Sequence, residues 1–226
     1  MFAKLATTLT LLRYMISESV FQFSTANKLM QGNFNGQFTI NELLQKGNFG
    51  IGTFNSLDGE MIVFNNNVYK TDSEGNIYTA TGIEKTPFAI NTFFNSTDFI
   101  NLNSLSQPET FKLLELEFDS TEIIVAIKIE GIFNQISLRN PLKLENQTND
   151  FSTIMKNVNH FILEQVTGTM IGFYFPESYE KLSTSGFHFH FIDHHYLKGG
   201  HVTDFNIRDA KVSFEIKKEV HIINPI

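Results

Sequence analysis

No cysteine occurs among the 226 residues, and no tryptophan. The first absence removes disulfides, thiolate nucleophiles, iron–sulfur clusters and cysteine-type zinc sites together, so a tightly held transition metal would have to rest on His, Asp and Glu. Positive charge is also scarce: 17 Lys and Arg stand against 24 Asp and Glu, for a formal charge of −7 and a pI near 5.5. Such a surface repels a phosphate backbone, and nucleic acid is not expected as a partner. Long apolar runs are missing too, since nothing approaches the roughly 18 residues that a membrane-crossing helix needs; no membrane partner is expected. The opening MFAKLATTLTLLRYMISESV has the short apolar run of a signal peptide, but Arg13 interrupts it and no small-x-small cleavage site follows closely. A cytoplasmic location is the expectation, with export through this start as the alternative.

What the chain has in quantity is phenylalanine, 24 residues, beside six Tyr and a hydrophobic fraction of 42%. Phe fits a half-buried pleated face, so the composition favours a β-rich fold with a core large enough to need no covalent staple. The segment STANKLMQG reads as a short helix with Ser24 as cap and Gly32 as stop. Thr39 and Glu42 have capping-box spacing ahead of INELLQKG. From residue 49 the chain alternates apolar and polar residues between the turn compositions LDG, NNN and SEGN, which predicts a β-meander. KTPFAINTFFN reads as extended and SQPETFKLLELEF as a helix opened by Pro108 and Glu109. EIIVAIKIEGIFNQISLR predicts two buried strands joined at Gly131, FSTIMKNVNHFILEQV a helix, and the last quarter a series of hairpins. The expected class is α+β: two intimately packed, sheet-dominated subdomains, residues 20–125 and 126–226, with a metal site on an antiparallel hairpin of the second.

That site is suggested by GFHFHFIDHHYLKGGH, residues 186–201, which holds five of the seven histidines. On a strand the rings of Phe187, Phe189 and Phe191 face one way and His188 and His190 the other, about 7 Å apart along the strand. If the chain then returns antiparallel, His201, just after Gly199-Gly200, lies opposite that pair. Three neutral imidazoles leave a coordination position open, the arrangement of a catalytic rather than a structural zinc. The bland alternative for HxH is an exposed polar face, and a barrel of the cupin type also uses HxH, followed there by a carboxylate that this sequence lacks at that offset. His194 and His195 diverge in any extended chain and read as loop or outer groups; His160 and His221 read as structural.

Five blocks in order, FSTANKLMQG, INELLQKGNFGIGTFNSLDGEMI, EGIFNQISLRNP, TGTMIGFYFPE and GFHFHFIDHHYLKGGHVTDF, resemble α-acetolactate decarboxylase. The resemblance implies a zinc ion, or another divalent transition metal, on His188, His190 and His201, with Glu60, Thr53 and Arg139 as the other site residues. It implies decarboxylation of a small 2-hydroxy-3-oxo acid, 2-acetolactate, to acetoin and CO2, with the metal polarising the keto and hydroxyl oxygens before stereospecific protonation, in a homodimer. Position alone leaves Arg139 open as an ion-pair residue, Glu60 as a solvated turn residue and Thr53 as a strand-end hydroxyl. A cupin-like oxygenase and a non-catalytic divalent-metal-binding protein are the competing functions. One family element, a further glutamate on a C-terminal tail, has no clear counterpart up to KKEVHIINPI; Glu219 is the nearest candidate.

Overall fold

The computed structural model describes residues 18–118, 122–145 and 151–225; the apolar start at residues 1–17, on which the export alternative rests, lies outside them. Its elements are β1 (Ser19–Phe23), α1 (Ala26–Met30), β2 (Phe38–Thr39), α2 (Ile40–Leu44), β3 (Phe49–Thr53), β4 (Glu60–Phe64), β5 (Asn67–Thr71), β6 (Ile77–Thr79), β7 (Lys85–Thr86) and β8 (Phe88–Thr92). Then come β9 (Ile100–Ser106), α3 (Gln107–Glu117), β10 (Ile124–Pro141), α4 (Phe151–Lys156), β11 (Val158–Phe175), β12 (Gly186–Asp193), β13 (Gly199–Lys217) and β14 (Glu219–Ile223). The class is α+β, mostly sheet.

Local chemistry explains the short helices. The Thr39 and Glu42 side chains satisfy each other's backbone N–H groups at the start of α2, and Ser106 and Glu109 do the same for α3, as their spacing predicts. At α1 the cap is Thr25, whose hydroxyl accepts from Lys28 N–H, rather than Ser24, which adopts a positive φ of 68° and turns the chain out of β1.

The meander forms as expected and builds a seven-stranded sheet in the order β14-β1-β8-β3-β4-β5-β6. The second sheet has the order β10-β11-β12-β13-β9, and β10 pairs with β13 as well, so β10 to β13 close into a ring. Three expectations are corrected here. The segment around Gly131 is one 18-residue strand, because both neighbours pair along it; a Cβ on Gly131 would fall 2.2 Å from Asp209 O, so the glycine admits β13 rather than ending a strand. The helix read over 151–166 stops at Lys156. From Val158 the alternation wins, with Phe161 and Leu163 packed on the core and Ile162 58% exposed, because pairing with β10 overrides a weak helical preference. The final hairpins are largely one 19-residue strand, β13, followed by β14, which crosses to pair in parallel with β1 in the other sheet.

One apolar cluster fills the ring and lies under α3, joining Phe133, Phe189, Phe191 and Phe205 to Leu114 and Phe118. A second glues the two sheets, with Ile51, Ile62 and Ile90 of the first facing Ile171, Phe173 and Ile192 of the second. The candidate site lies on that seam, where His190 of the second sheet meets Met61 of the first.

Candidate metal centre and cavity

On β12 the Phe side of FHFHF packs inward: Phe187 and Phe189 stack with Phe111, and Phe191 meets Phe133 edge-on. Period-two geometry therefore turns His188 and His190 to the other face. The turn after Asp193 brings the chain back so that His190 pairs with His201, and His201 in turn pairs with Arg139 of β10. Arg139, His201 and His190 thus stand in one row across three adjacent strands. A Cβ on Gly200 would fall 2.2 Å from Asn140 Oδ1, and Asn140 Nδ2 donates to Gly199 O and Asp72 O, so the missing side chain lets this peg hold the strand ends in line.

The three imidazole centroids are 5.2, 4.8 and 5.3 Å apart, and one ring nitrogen from each lies within 4.8 Å of the others. His190 Nδ1 is 2.8 Å from Met61 O; a carbonyl only accepts, so Nδ1 carries the proton and Nε2 offers its lone pair. Arg139 Nη2 donates to His201 Nε2 at 3.2 Å, which leaves Nδ1–H of His201 to donate to His188 Nε2, also at 3.2 Å. His188 Nδ1 is then a buried polar atom with no partner. Burial, helped by the Arg139 charge, pushes the His188 ring down to about 4; burial and the neighbouring rings hold His190 and His201 well below the ordinary value. All three are neutral at pH 7, the form in which imidazole ligates a metal. Three neutral imidazoles so grouped fit a divalent cation, which would replace the hydrogen bond between His201 and His188.

Glu60 comes from the other sheet, as the first residue of β4, with Oε2 3.6 Å from His190 Nε2. Burial pushes its carboxyl up to about 8, against the pull of Arg139. Thr53 pairs with Glu60 across β3 and β4, is buried, and donates its hydroxyl to Gly59 O at 2.9 Å, closing the turn that presents Glu60. That turn bends through positive φ at Ser56 and Leu57, and is pinned by Asp58 to Lys70 at 2.6 Å and to Lys143 at 3.1 Å. The Arg139 contacts are His201 and Met155 Sδ at 3.7 Å; among the described residues no carboxylate pairs with it. A guanidinium so placed keeps its charge available to an anion.

These six residues open on one cavity of about 330 Å³. Its walls are apolar, from Leu29 and Met30 of α1, Leu57, Phe88, and Phe151 and Met155 of α4. A strap after β11 adds Glu180, Ser183, Thr184 and Ser185. No sequence signal marks the walls or the strap, because their closeness comes from the packing of the two sheets. The other histidines stay out: His194 and His195 lie exposed in the turn, and His160 and His221 are exposed. Glu219 is on β14, where it accepts from Ser19 Oγ, and does not line the cavity.

The model of one protein family, described as Alpha-acetolactate decarboxylase, matches residues 20–225. A Brevibacillus brevis protein of that name is 34% identical over 194 residues, covering 85% of this chain and 68% of its own. The one from Bacillus subtilis strain 168 is 31% identical over 207 residues, covering 91% and 81%. The crystal structure of the alpha-acetolactate decarboxylase from that strain superposes with a TM-score of 0.88 at 30% identity, over 92% of this chain and 89% of that one.

Proposed function

Because the chain belongs to the alpha-acetolactate decarboxylase family, we propose that it converts 2-acetolactate to acetoin and CO2 with a divalent cation, zinc in the first place, on His188, His190 and His201. The reaction breaks the bond between the carboxylate and C2. Its electron pair moves towards the neighbouring ketone, CO2 leaves, and C2 takes up one proton to give acetoin. A divalent ion held by His188, His190 and His201 would supply Lewis acidity that lowers the cost of the charge released with CO2.

This chain's own residues do the rest. Arg139, with no carboxylate partner among the described residues, takes the substrate carboxylate through its planar fork of donors. Glu60, which faces the three histidines from the other sheet with Oε2 3.6 Å from His190 Nε2, delivers a proton to one face of C2, which sets the configuration of the product. Thr53 holds the turn that aims Glu60. The apolar walls exclude water and receive the two methyl groups. Residues 20–125 and 126–226 act in this reading as two closely packed subdomains that meet at the site, and the working unit is a homodimer, which sedimentation velocity tests by giving twice the chain mass.

The observation that carries the reading is the row Arg139, His201, His190 on three strands with Glu60 facing it from the other sheet. An acetoin assay on racemic acetolactate, with and without a chelator, tests it. Acetoin formed by the metal-loaded protein and abolished by chelation is expected, together with loss of bound metal after His188→Ala, His190→Ala or His201→Ala. Turnover that survives complete metal removal would defeat the metal-dependent mechanism.

A further inference from the structure

Six buried side-chain polar atoms among the described residues have no hydrogen-bond partner, and two belong to residues that line the cavity: His188 Nδ1, already within the metal centre, and Ser183 Oγ. Ser183 is 1% exposed. Burying a hydroxyl without a partner is unfavourable, and a buried orphan calls for a reason such as a missing ligand.

The backbone around Ser183 is firmly placed. Ser183 and Leu182 N–H both donate to Tyr179 O at 2.8 Å, and Leu182 O accepts from Ala26 N–H at 2.9 Å and from the fully buried Gln22 side chain. The strap is thus tied to β1 and α1, the elements that also carry the cavity wall at Leu29 and Met30. An anchored main chain with an unsatisfied hydroxyl at the edge of a cavity is a donor held in reserve. The side chain has one heavy-atom torsion, so Oγ can be re-aimed between staggered wells without moving the main chain.

We infer that Ser183 is a substrate-binding residue: its hydroxyl donates a hydrogen bond to an oxygen of an anionic 2-hydroxy acid in the cavity. The inference rests on the substrate class proposed above. Arg139 alone cannot saturate the acceptor sites of a carboxylate beside a tertiary hydroxyl, and hydroxyl donation to a charged oxygen is among the stronger hydrogen bonds.

Ser183→Ala removes the donor, and Ser183→Cys replaces it with a weak one. Since the hydroxyl has no partner in the protein, neither change should lower Tm, whereas kcat/KM on acetolactate should fall by about tenfold, chiefly through KM. Titration of the zinc-loaded protein with 2-hydroxy-2-methylpropanoate, which has the carboxylate and hydroxyl but no ketone to decarboxylate, should show weaker binding by a similar factor. That arm keeps the two readings apart: a wild type that binds this anion more tightly than Ser183→Ala does, yet releases no CO2 from acetolactate, defeats the proposed reaction alone. Unchanged affinity for the anion in Ser183→Ala overturns the assignment, as does a loss of affinity accompanied by a fall in Tm, which would make the hydroxyl structural.

Discussion

At Arg139 the guanidinium meets a neutral imidazole and a thioether, two weak acceptors, and among the described residues no carboxylate forms an ion pair with it. Replacing it with lysine keeps the charge and loses the planar fork, so Arg139→Lys should raise KM by about tenfold or more while metal content measured by elemental analysis stays the same. Glu60 fails differently. Glu60→Gln keeps shape and removes the proton, and general acid–base groups contribute roughly 10²–10⁴-fold, so kcat should fall within that range at full metal content. Normal turnover in Glu60→Gln would assign the proton to another group, with Glu180 on the strap the first to examine. At this scale FHFHF was readable because the alternation of a strand is a local property: Phe on one side and His on the other needs no knowledge of the rest of the chain. That His201 pairs with Arg139 was not readable, since their register depends on a ring closed between residues 62 positions apart.

Elements add a second layer. Capping boxes at Thr39 and Ser106 were legible because both partners lie within one turn. Residues 158–166 were misread as helix for the complementary reason, that their strand exists only through its partner β10. The turn before β4 shows how an element serves the site. Burial pushes the Asp58 carboxyl up, but hydrogen bonds and charge from Lys70 and Lys143 outweigh it and leave the group below its ordinary 3.8. A carboxylate with a lowered folded pKa contributes stability that is complete above the unfolded value and is lost as pH falls through the folded one. The difference in urea midpoint between the wild type and Asp58→Asn should therefore be present at pH 6 and shrink as pH drops below 3.8. A difference that persists at pH 2 would mean that the turn is held by its backbone contacts, such as Ser56 N–H to Phe34 O, rather than by charge.

For the molecule as a whole, the site is also a joint. Glu60 and Met61 belong to one sheet, the three histidines and Arg139 to the other, and His190 Nδ1–H donates to Met61 O across the seam. The strands exchanged between halves work in the same direction: β9 joins the second sheet and β14 the first, so neither sheet forms from one contiguous stretch. The composition could suggest two sheets with aromatic cores, but not this exchange, because nothing local in INLNSLS or EVHII names the sheet that each will join. An ion held at the joint by the ring of one sheet binds only when the register of that ring is intact, so its binding free energy adds to the folding of the whole. At free metal about 100 times Kd the gain is about 2.7 kcal/mol. For a chain of this size each kcal/mol moves Tm by roughly 2–4 °C, so the metal-loaded protein should melt roughly 5–10 °C above the chelated one. Because the second apolar cluster ties the sheets face to face, calorimetry should show one transition moving as a unit rather than the second sheet shifting alone. Two transitions, of which only one responds to metal, would show that the seam does not couple the sheets and that the histidine ring is stable without the strand that carries Glu60.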